Sequence, residues 1–269
     1  MIRAAIIGVS GRMGCALVRA AGQTSDLRVT GAVASPTNAA IGRDAGELAG
    51  VANIGVAVTA DLAAAIAAAD VVVDFSNARA TAANLAACRA ARKALLIGTT
   101  GFAAELHAQF DSTAREIPLL VAPNTSVGVT LLIELVAQAA RALPPSFDIE
   151  VIEAHHHTKR DAPSGTALAL GNAAAVARRG QTLTPKELEA SRGGLRREGD
   201  IGFAVVRGGD IVGEHTVLFA GTGERVSLSH SATDRAIFAR GALQAASWLH
   251  AQPPGRYFMR DILGYKSVT

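Results

Sequence analysis

A chain of 269 residues has room for one large domain or two modest ones, and either arrangement buries a hydrophobic core. Its 26 Lys and Arg residues and 23 Asp and Glu residues leave a net charge of +3 that is spread along the chain, which argues against a nucleic-acid-binding surface. Only Cys15 and Cys88 are present, the N-terminal residues lack the features of a signal peptide, and no apolar run is long enough to span a membrane. We therefore expect a cytoplasmic protein without nucleic-acid or membrane partners.

The first half of the chain alternates short apolar runs with alanine-rich stretches. Strands are predicted at residues 2–8, 27–34, 56–60, 70–76, 93–101 and 117–124, because each run is short and ends in turn residues. Helices are predicted between them, at residues 14–23, 62–69, 80–92 and 103–116. This βαβα order predicts a Rossmann-like, doubly wound parallel sheet.

The pattern changes after Ser126. A long apolar helix is predicted at residues 129–143, followed by a strand at 147–157 and by three alternating segments at 201–209, 210–220 and 223–232, which we expect to be antiparallel strands of an open sheet. The helical tail at 235–252 is assigned back to the first domain.

The prediction is thus an α/β protein with two domains. A dinucleotide-binding domain comprises residues 1–127 and 237–269, and an α+β substrate-binding domain with an open mixed sheet comprises residues 128–236. Residues 178–199, rich in charges and glycines, are the predicted mobile segment.

Three glycines, Gly8, Gly11 and Gly14, lie between the first strand and the first helix. This G-x-x-G-x-x-G spacing allows a tight turn whose backbone N–H groups contact a diphosphate, although a turn without a ligand is the alternative. Arg12, inside the loop, either pairs with a phosphate or is simply solvated.

The end of the second strand bears on the choice between NADH and NADPH. Folds that prefer NAD usually place an acidic residue there to bind the ribose 2′-hydroxyl, but this chain has the neutral Ser35 and Pro36. Without a carboxylate to repel a 2′-phosphate, NADPH is the expected cofactor and NADH the alternative. Polar residues at 74–78, 98–101 and 122–129 end three other strands and indicate a cofactor cleft, unless they are ordinary turn residues.

The stretch AHHHTKRDAPSGTA, at residues 154–167, permits three interpretations. A metal site is disfavoured because strand alternation places His155 and His157 on one face and His156 on the other. Ser164 is positioned to cap the helix that follows, whose N-terminus attracts a carboxylate, and Lys159 adds positive charge. We therefore predict a pocket for a small carboxylated substrate that accepts a proton, with a solvated loop as the alternative.

This stretch, together with GVSGRMG, IGTTG, APNTSVGV and GDIVGEHTV, resembles the dihydrodipicolinate reductase family over nearly the whole chain. The resemblance implies a Rossmann-like cofactor domain and a substrate domain whose sheet builds a homotetramer. The implied activity is NAD(P)H-dependent reduction of 4-hydroxy-tetrahydrodipicolinate, a small dicarboxylate, to tetrahydrodipicolinate with loss of water, in the diaminopimelate route to lysine.

The resemblance also implies roles for individual residues. His155 matches the family's proton donor and Lys159 its essential lysine, while the positions that hold substrate carboxylates are His156, Gly165 and Thr166. The implied cofactor contacts are Gly8, Val9, Ser10, Gly11, Arg12, Met13, Gly98, Thr99, Thr100, Ala122, Pro123, Asn124 and Thr125. No metal is implied, and His157 and Thr158 receive no role.

Some alternatives stay open. Many family members carry an acidic residue followed by Arg where this chain has Ser35 and Pro36, so the resemblance leaves the NADH or NADPH preference undecided. A reductase of another keto or imino acid would share the cofactor loop, and a non-catalytic NAD(P)H sensor would need no proton donor. Glu214 and His215 invite a catalytic interpretation, but alternation on a strand favours an exposed sheet face or a subunit interface.

Overall fold

The computed structural model describes residues 1–184, 187, 196 and 198–265. Its strands are β1 (Ile2–Ile7), β2 (Leu27–Val33), β3 (Val58–Thr59), β4 (Val71–Asp74), β5 (Ala94–Ile97), β6 (Pro118–Val121), β7 (Asp148–His155), β8 (Ile201–Arg207), β9 (Gly213–Gly221), β10 (Glu224–Ala232) and β11 (Gly255–Tyr257). Its helices are α1 (Arg12–Ala21), α2 (Ala45–Leu48), α3 (Leu62–Ala67), α4 (Thr81–Ala90), α5 (Ala104–Ala114), α6 (Val127–Ala142), α7 (Gly165–Arg179) and α8 (Ala236–Leu249), with a 3-10 turn at Asp261–Leu263. Of the predicted mobile segment 178–199, residues 185, 186, 188–195 and 197 lie outside the described residues.

The chain divides into two units, of which the first comprises Met1–Ser126 and Ala236–Thr269 and the second Val127–Arg235. A seven-stranded sheet with the order β11-β6-β5-β4-β1-β2-β3 runs through the first unit, and every neighbouring pair is parallel. The predicted doubly wound sheet is therefore confirmed. The strand order reverses between β1 and β4, the position at which such sheets bind ligands beyond their carboxyl ends.

Both faces of this sheet are covered, as the alternation along β1 shows. Ala4 and Ile6 are buried in one core with α1 and α8, whereas Ala5 and Ile7 are buried in a second core with α3, α4 and α5. Because each face of a parallel sheet is buried by helices, its strands are almost uniformly apolar. Two short elements, β11 and α2, were not predicted, since three or four residues are too few to establish a periodicity.

The second unit holds a four-stranded sheet with the order β10-β9-β7-β8. Helices α6 and α7 pack on one face, where residues such as Leu132, Val151, Leu170 and Phe219 form a third core. The predicted open mixed sheet is confirmed, but the segment at 201–209 was wrongly predicted to be antiparallel, because β8 pairs with β7 in parallel. The chain leaves β7 and passes through α7 before β8 begins, and apolar alternation alone does not report strand direction.

Strand β7 ends at His155, two residues earlier than predicted. His156 and His157 therefore belong to a turn, and the alternation used to place them on opposite faces applies only up to His155. None of the helices in the described ranges combines the length and the apolar character that crossing a membrane requires.

Candidate active site

The glycine loop of the first unit has the shape of a phosphate cradle. Gly8 adopts a left-handed backbone with φ of 82°, and a β-carbon on Gly14 would lie 2.3 Å from the Gly8 carbonyl oxygen, so both positions require glycine. Helix α1 begins at Arg12, and its N-cap, Gly11, supplies no side-chain hydrogen bond. The first-turn N–H groups of α1 therefore fit a diphosphate. The Arg12 side chain is exposed at this helix start.

The predicted cofactor residues after β5 and β6 lie at the same edge of the sheet as the glycine loop, because the strands are parallel. The Asp74 carbonyl at the end of β4 accepts a hydrogen bond from the Gly98 N–H at 2.9 Å, and buried Thr99 places its hydroxyl 3.5 Å from the same oxygen. Of the other predicted contacts, Thr100 and Pro123 are exposed, Asn124 is half-buried, and Val9 and Ala122 are buried. Their grouping is consistent with a cofactor-binding edge.

The buried side chain of Thr125 has a structural contact instead. Its hydroxyl donates a hydrogen bond of 2.7 Å to the carbonyl of Phe238 in α8. The single hydrogen of this hydroxyl is thus committed to Phe238, so the side chain of Thr125 cannot donate a hydrogen bond to a cofactor.

The segment after β2 carries no free carboxylate near the glycine loop. Ser35 and Pro36 are exposed, and Asn38 donates a hydrogen bond of 3.0 Å to the hydroxyl of Ser10. The next acid along the chain, Asp44, caps α2 and also accepts hydrogen bonds from the N–H groups of Ile54 and Val56. These hydrogen bonds outweigh burial and lower the pKa of Asp44.

In the second unit, Glu153 and His155 occupy the buried face of β7 at its carboxyl end. Glu153 is 1% exposed, and its carboxylate accepts hydrogen bonds from Arg207 Nη1 at 2.9 Å, Arg207 Nη2 at 2.8 Å and the Ser164 N–H at 3.0 Å. The same carboxylate bonds Nδ1 of His155. Burial alone would raise the pKa of Glu153, but the hydrogen bonds from Arg207, His155 and Ser164 lower it below its ordinary value.

His155 is 8% exposed and lies beside a second buried histidine, His215, with a distance of 5.0 Å between the ring centroids. Burial lowers the pKa of His155, although the hydrogen bond to Glu153 acts in the opposite direction. The positive charges of Lys159 and Arg207 lower it further. A negatively charged ligand would oppose these effects and favour protonation of His155.

The prediction of an exposed sheet face at residues 214 and 215 is wrong for His215, which is 5% exposed. In β9, Gly213, His215, Val217 and Phe219 alternate toward the core, whereas Glu214 is exposed. Nε2 of His215 lies 3.0 Å from the hydroxyl of Ser164. Burial and then the neighbouring His155 lower the pKa of His215 to about 4, so its ring is neutral at physiological pH.

The geometry also bears on the metal alternative. Donor atoms of Glu153, His155 and His215 lie within 4.8 Å of one another. However, both carboxylate oxygens of Glu153 already accept hydrogen bonds from Arg207, so a metal ion would compete with a guanidinium at the same atoms. The arrangement therefore favours proton chemistry over metal binding.

The turn after β7 carries the remaining polar residues. Half-buried His156 has its Nδ1 2.7 Å from the Thr158 hydroxyl, and His157 has its Nδ1 2.9 Å from the Gly209 carbonyl, which ties the turn to the β8–β9 loop. Nζ of Lys159 forms an ion pair of 2.9 Å with Asp161, whose carboxylate is mostly exposed. That ion pair lowers the pKa of Asp161.

Helix α7 begins directly after this turn, and the predicted cap is confirmed. The Ser164 hydroxyl accepts a hydrogen bond of 3.1 Å from the Ala167 N–H, while Gly165 is exposed and Thr166 half-buried in the first turn. The structure thus brings His155, the predicted proton donor, to the end of the strand that precedes this helix start.

Two residues of this cluster received no role from the sequence. The sequence could have indicated Glu153, because a residue two positions before His155 on a strand lies on the same face of the sheet as His155. Arg207 had none, because its position depends on the parallel pairing of β8 with β7.

Comparison with known proteins covers both units. The family model described as "Dihydrodipicolinate reductase, N-terminus" matches residues 2–125, and the one described as "Dihydrodipicolinate reductase, C-terminus" matches residues 128–263. A 4-hydroxy-tetrahydrodipicolinate reductase of Alkalilimnicola ehrlichii is 50% identical over 97% of this chain and 98% of its own. One from Anaeromyxobacter dehalogenans is 48% identical over 99% of each chain.

A solved structure agrees with these relatives. The dipicolinate-bound dihydrodipicolinate reductase from Paenisporosarcina is 28% identical, with a TM-score of 0.76 over 96% of this chain and 97% of its own. With family models that match both units and relatives near half identity along the full length, this chain belongs to the dihydrodipicolinate reductase family.

Proposed function

We propose that this protein catalyses the NAD(P)H-dependent reduction of 4-hydroxy-tetrahydrodipicolinate to tetrahydrodipicolinate, with loss of water, in the diaminopimelate route to lysine. The observation that carries the proposal is the cluster at the end of β7. A buried imidazole, His155, is oriented by a carboxylate at the end of the strand that leads into the Lys159 turn and the start of α7. Family membership supports the same reaction.

The first unit supplies the cofactor site in this proposal. The uncapped first turn of α1, the close-packed Gly8 and Gly14, and the strand ends at Gly98 and Asn124 fit a dinucleotide. When bound, the reduced nicotinamide supplies the hydride. Because Ser35 and Pro36 place no negative charge after β2, we expect NADPH to be preferred.

The second unit binds the two substrate carboxylates. The N-terminus of α7 offers N–H groups and a partial positive charge at Gly165 and Thr166, and Lys159 adds a full charge. His156, in the same turn, is the further predicted carboxylate ligand. The solved relative is described as dipicolinate-bound, and dipicolinate is a planar ring with two such carboxylates.

His155 supplies the proton. Reduction adds one hydride and one proton to the unsaturated ring left when the 4-hydroxyl departs as water, and the proton goes to the carbon next to the reduced one. Bound dicarboxylate raises the proton affinity of His155, so that the imidazolium is present when the ring becomes electron-rich. Lys159 stabilises the negative charge that develops on the ring.

We further propose a cytoplasmic homotetramer. Ile152 and Val206 are exposed apolar side chains on neighbouring strands of the four-stranded sheet, on the face opposite α6 and α7. On the same face, the Thr216 and Ser229 hydroxyls lie 2.9 Å apart. A second copy of the chain would bury this apolar surface. The free thiols Cys15 and Cys88 suit a reducing compartment.

The function is tested by supplying the unstable substrate from a dihydrodipicolinate synthase reaction and following NADPH absorbance. We expect oxidation that depends on the synthase product. Oxidation with a different keto or imino acid alone would indicate another reductase. NADPH binding without any oxidation would indicate a sensor.

A further inference from the structure

Glu153 is placed to act on His155 without touching the substrate. Its side chain is fully buried, and its two oxygens accept four hydrogen bonds, from Arg207 twice, the Ser164 N–H and the His155 ring. All four lone-pair positions of the Glu153 carboxylate are therefore occupied, and none is left to accept a hydrogen bond from a ligand. Glu153 therefore acts on the reaction through the groups that it holds, and among these His155 is the proposed proton donor.

Arg207 keeps this carboxylate ionised. Its two terminal nitrogens meet the two oxygens of Glu153 side by side, the geometry that suits a guanidinium and a carboxylate best. Nη2 also donates to the Asp161 carbonyl at 2.6 Å, which fixes Arg207 to the turn that carries Lys159. A buried carboxylate with three N–H donors of its own remains an acceptor for the histidine.

An ionised carboxylate accepts hydrogen bonds and cannot donate them, so Nδ1 of His155 must carry a hydrogen. In the neutral ring the other nitrogen, Nε2, is then unprotonated. Nε2 lies beside Gly213, and a β-carbon added to this glycine would be only 3.1 Å from Nε2. The lack of a side chain at Gly213 leaves room beside Nε2.

We propose that Glu153, clamped by Arg207, is a positioning residue that holds His155 as its Nδ1–H tautomer, so that Nε2 is the atom that exchanges the proton with substrate. This inference rests on the proposed function, in which His155 is the proton donor. It adds that Nε2 is the nitrogen that transfers the proton, and that the buried pair of Glu153 and Arg207 determines this choice.

The charges around His155 determine how a neutral residue at position 153 would change the pKa of His155. Glu153 favours protonation of the ring, while Lys159 and Arg207 oppose it, and His215 packs against the ring as a neutral neighbour. Replacing Glu153 with glutamine removes the only favourable charge among these groups. The pKa of His155 should fall, and the pH at which the proton donor is lost should fall with it.

The glutamine variant should also change the tautomer. Its single oxygen is best placed where Ser164 N–H and Arg207 Nη2 both donate, which leaves its NH2 group facing Nδ1 of His155. A donor at that position requires an unprotonated Nδ1, so His155 becomes the Nε2–H tautomer. The proton then resides on Nε2 even in the neutral ring, and Nδ1 no longer has its acceptor.

The experiment records ring ¹⁵N chemical shifts of histidine-labelled protein, with the His155 signals assigned by their loss in His155→Gln. We expect Nδ1–H in the wild type and Nε2–H in Glu153→Gln, with kcat reduced roughly tenfold or more and KM changed little, since a wrong tautomer mainly impairs proton transfer. The pH at which kcat/KM declines should shift downward. Glu150→Gln is the matched control, because Glu150 is a partly buried glutamate on the same strand that pairs with Arg196.

The wild-type tautomer is measured without Glu153→Gln, so it decides the inference even if that variant does not fold. Nε2–H on wild-type His155, or a Glu153→Gln enzyme with an unchanged tautomer and kcat, would overturn the inference. A wild-type protein that shows the Nδ1–H tautomer but turns over no substrate would overturn the proposed function while supporting the tautomer assignment.

Discussion

The imidazole of His215 and the hydroxyl of Ser164 lie 3.0 Å apart in the core of the second unit, which joins strand β9 to the cap of α7. His215 faces His155, Glu153, Lys159 and, across the β9–β10 pairing, His230. Burial is the largest influence and lowers the pKa of His215 to about 4, so the ring stays neutral until the pH falls to about that value.

This burial predicts a loss of stability in mild acid. As pH falls from 6.5, the ordinary pKa, toward 4, the unfolded chain protonates His215 and the folded chain does not, so the free energy of unfolding decreases. The full difference corresponds to about 3 kcal/mol. Urea unfolding at pH 7 and pH 4.5 should therefore show a smaller drop for His215→Gln than for the wild type. His250→Gln, at an exposed histidine, serves as control, and an equal drop in all three proteins would contradict the prediction.

The open space that Gly213 leaves beside His155 predicts a second effect. A methyl group at position 213 would lie 3.1 Å from Nε2, closer than ordinary contact, and would displace the ring. We expect Gly213→Ala to lower kcat by roughly tenfold or more, because small displacements of a catalytic group are costly. Gly208→Ala is the control, since a β-carbon there meets nothing within 4 Å. Equal kcat values for the two variants would show that the reaction does not need the space beside Nε2 of His155.

The roles proposed for His155 and Lys159 are tested directly. His155→Ala and Lys159→Ala should each lower kcat by roughly 10²-fold or more, through lost acid catalysis and lost charge stabilisation. NADPH affinity, measured by fluorescence titration, should be unchanged. His157→Ala removes only the contact with the Gly209 carbonyl and should retain turnover near the wild-type rate. Near-normal turnover in both of the first two variants would refute their assignment.

Charge after β2 should control the cofactor. Ser35→Asp places a carboxylate in the exposed segment whose Asn38 contacts the glycine loop, and it would repel a 2′-phosphate. We expect the KM for NADPH to rise roughly tenfold, with the KM for NADH little changed. Ser25→Asp adds the same charge before the amino end of β2 and should change neither KM. A wild-type enzyme with a strong NADH preference would contradict the interpretation of Ser35.

The open face of the four-stranded sheet predicts an assembly defect. Ile152→Asp buries a charge in the proposed subunit interface, so sedimentation equilibrium should detect species smaller than a tetramer. Val51→Asp changes a similarly exposed valine in the first unit and should leave the assembly intact. A wild-type chain that sediments as a monomer would refute the proposed tetramer.

Much of the proposed site could be proposed from the sequence because it is contiguous in the chain. The proposed proton donor, the proposed lysine and the helix cap occupy residues 155–166, and the glycine loop occupies residues 8–14, so local spacing and turn chemistry were sufficient to propose them. The partners of these residues were not predictable in the same way. Glu153 meets Arg207 across 54 positions, and Ser164 meets His215 across 51.

By itself, the sequence determined the order of most strands and helices, the parallel sheet of the first unit and the residue types available for proton transfer and carboxylate binding. Periodicity and capping are local properties, so they can be read along the chain. Only the tertiary structure decided that β8 lies parallel to β7, that His215 is buried, and that an arginine clamps the carboxylate behind His155. These features depend on strand register and on burial, which arise when distant segments pack together.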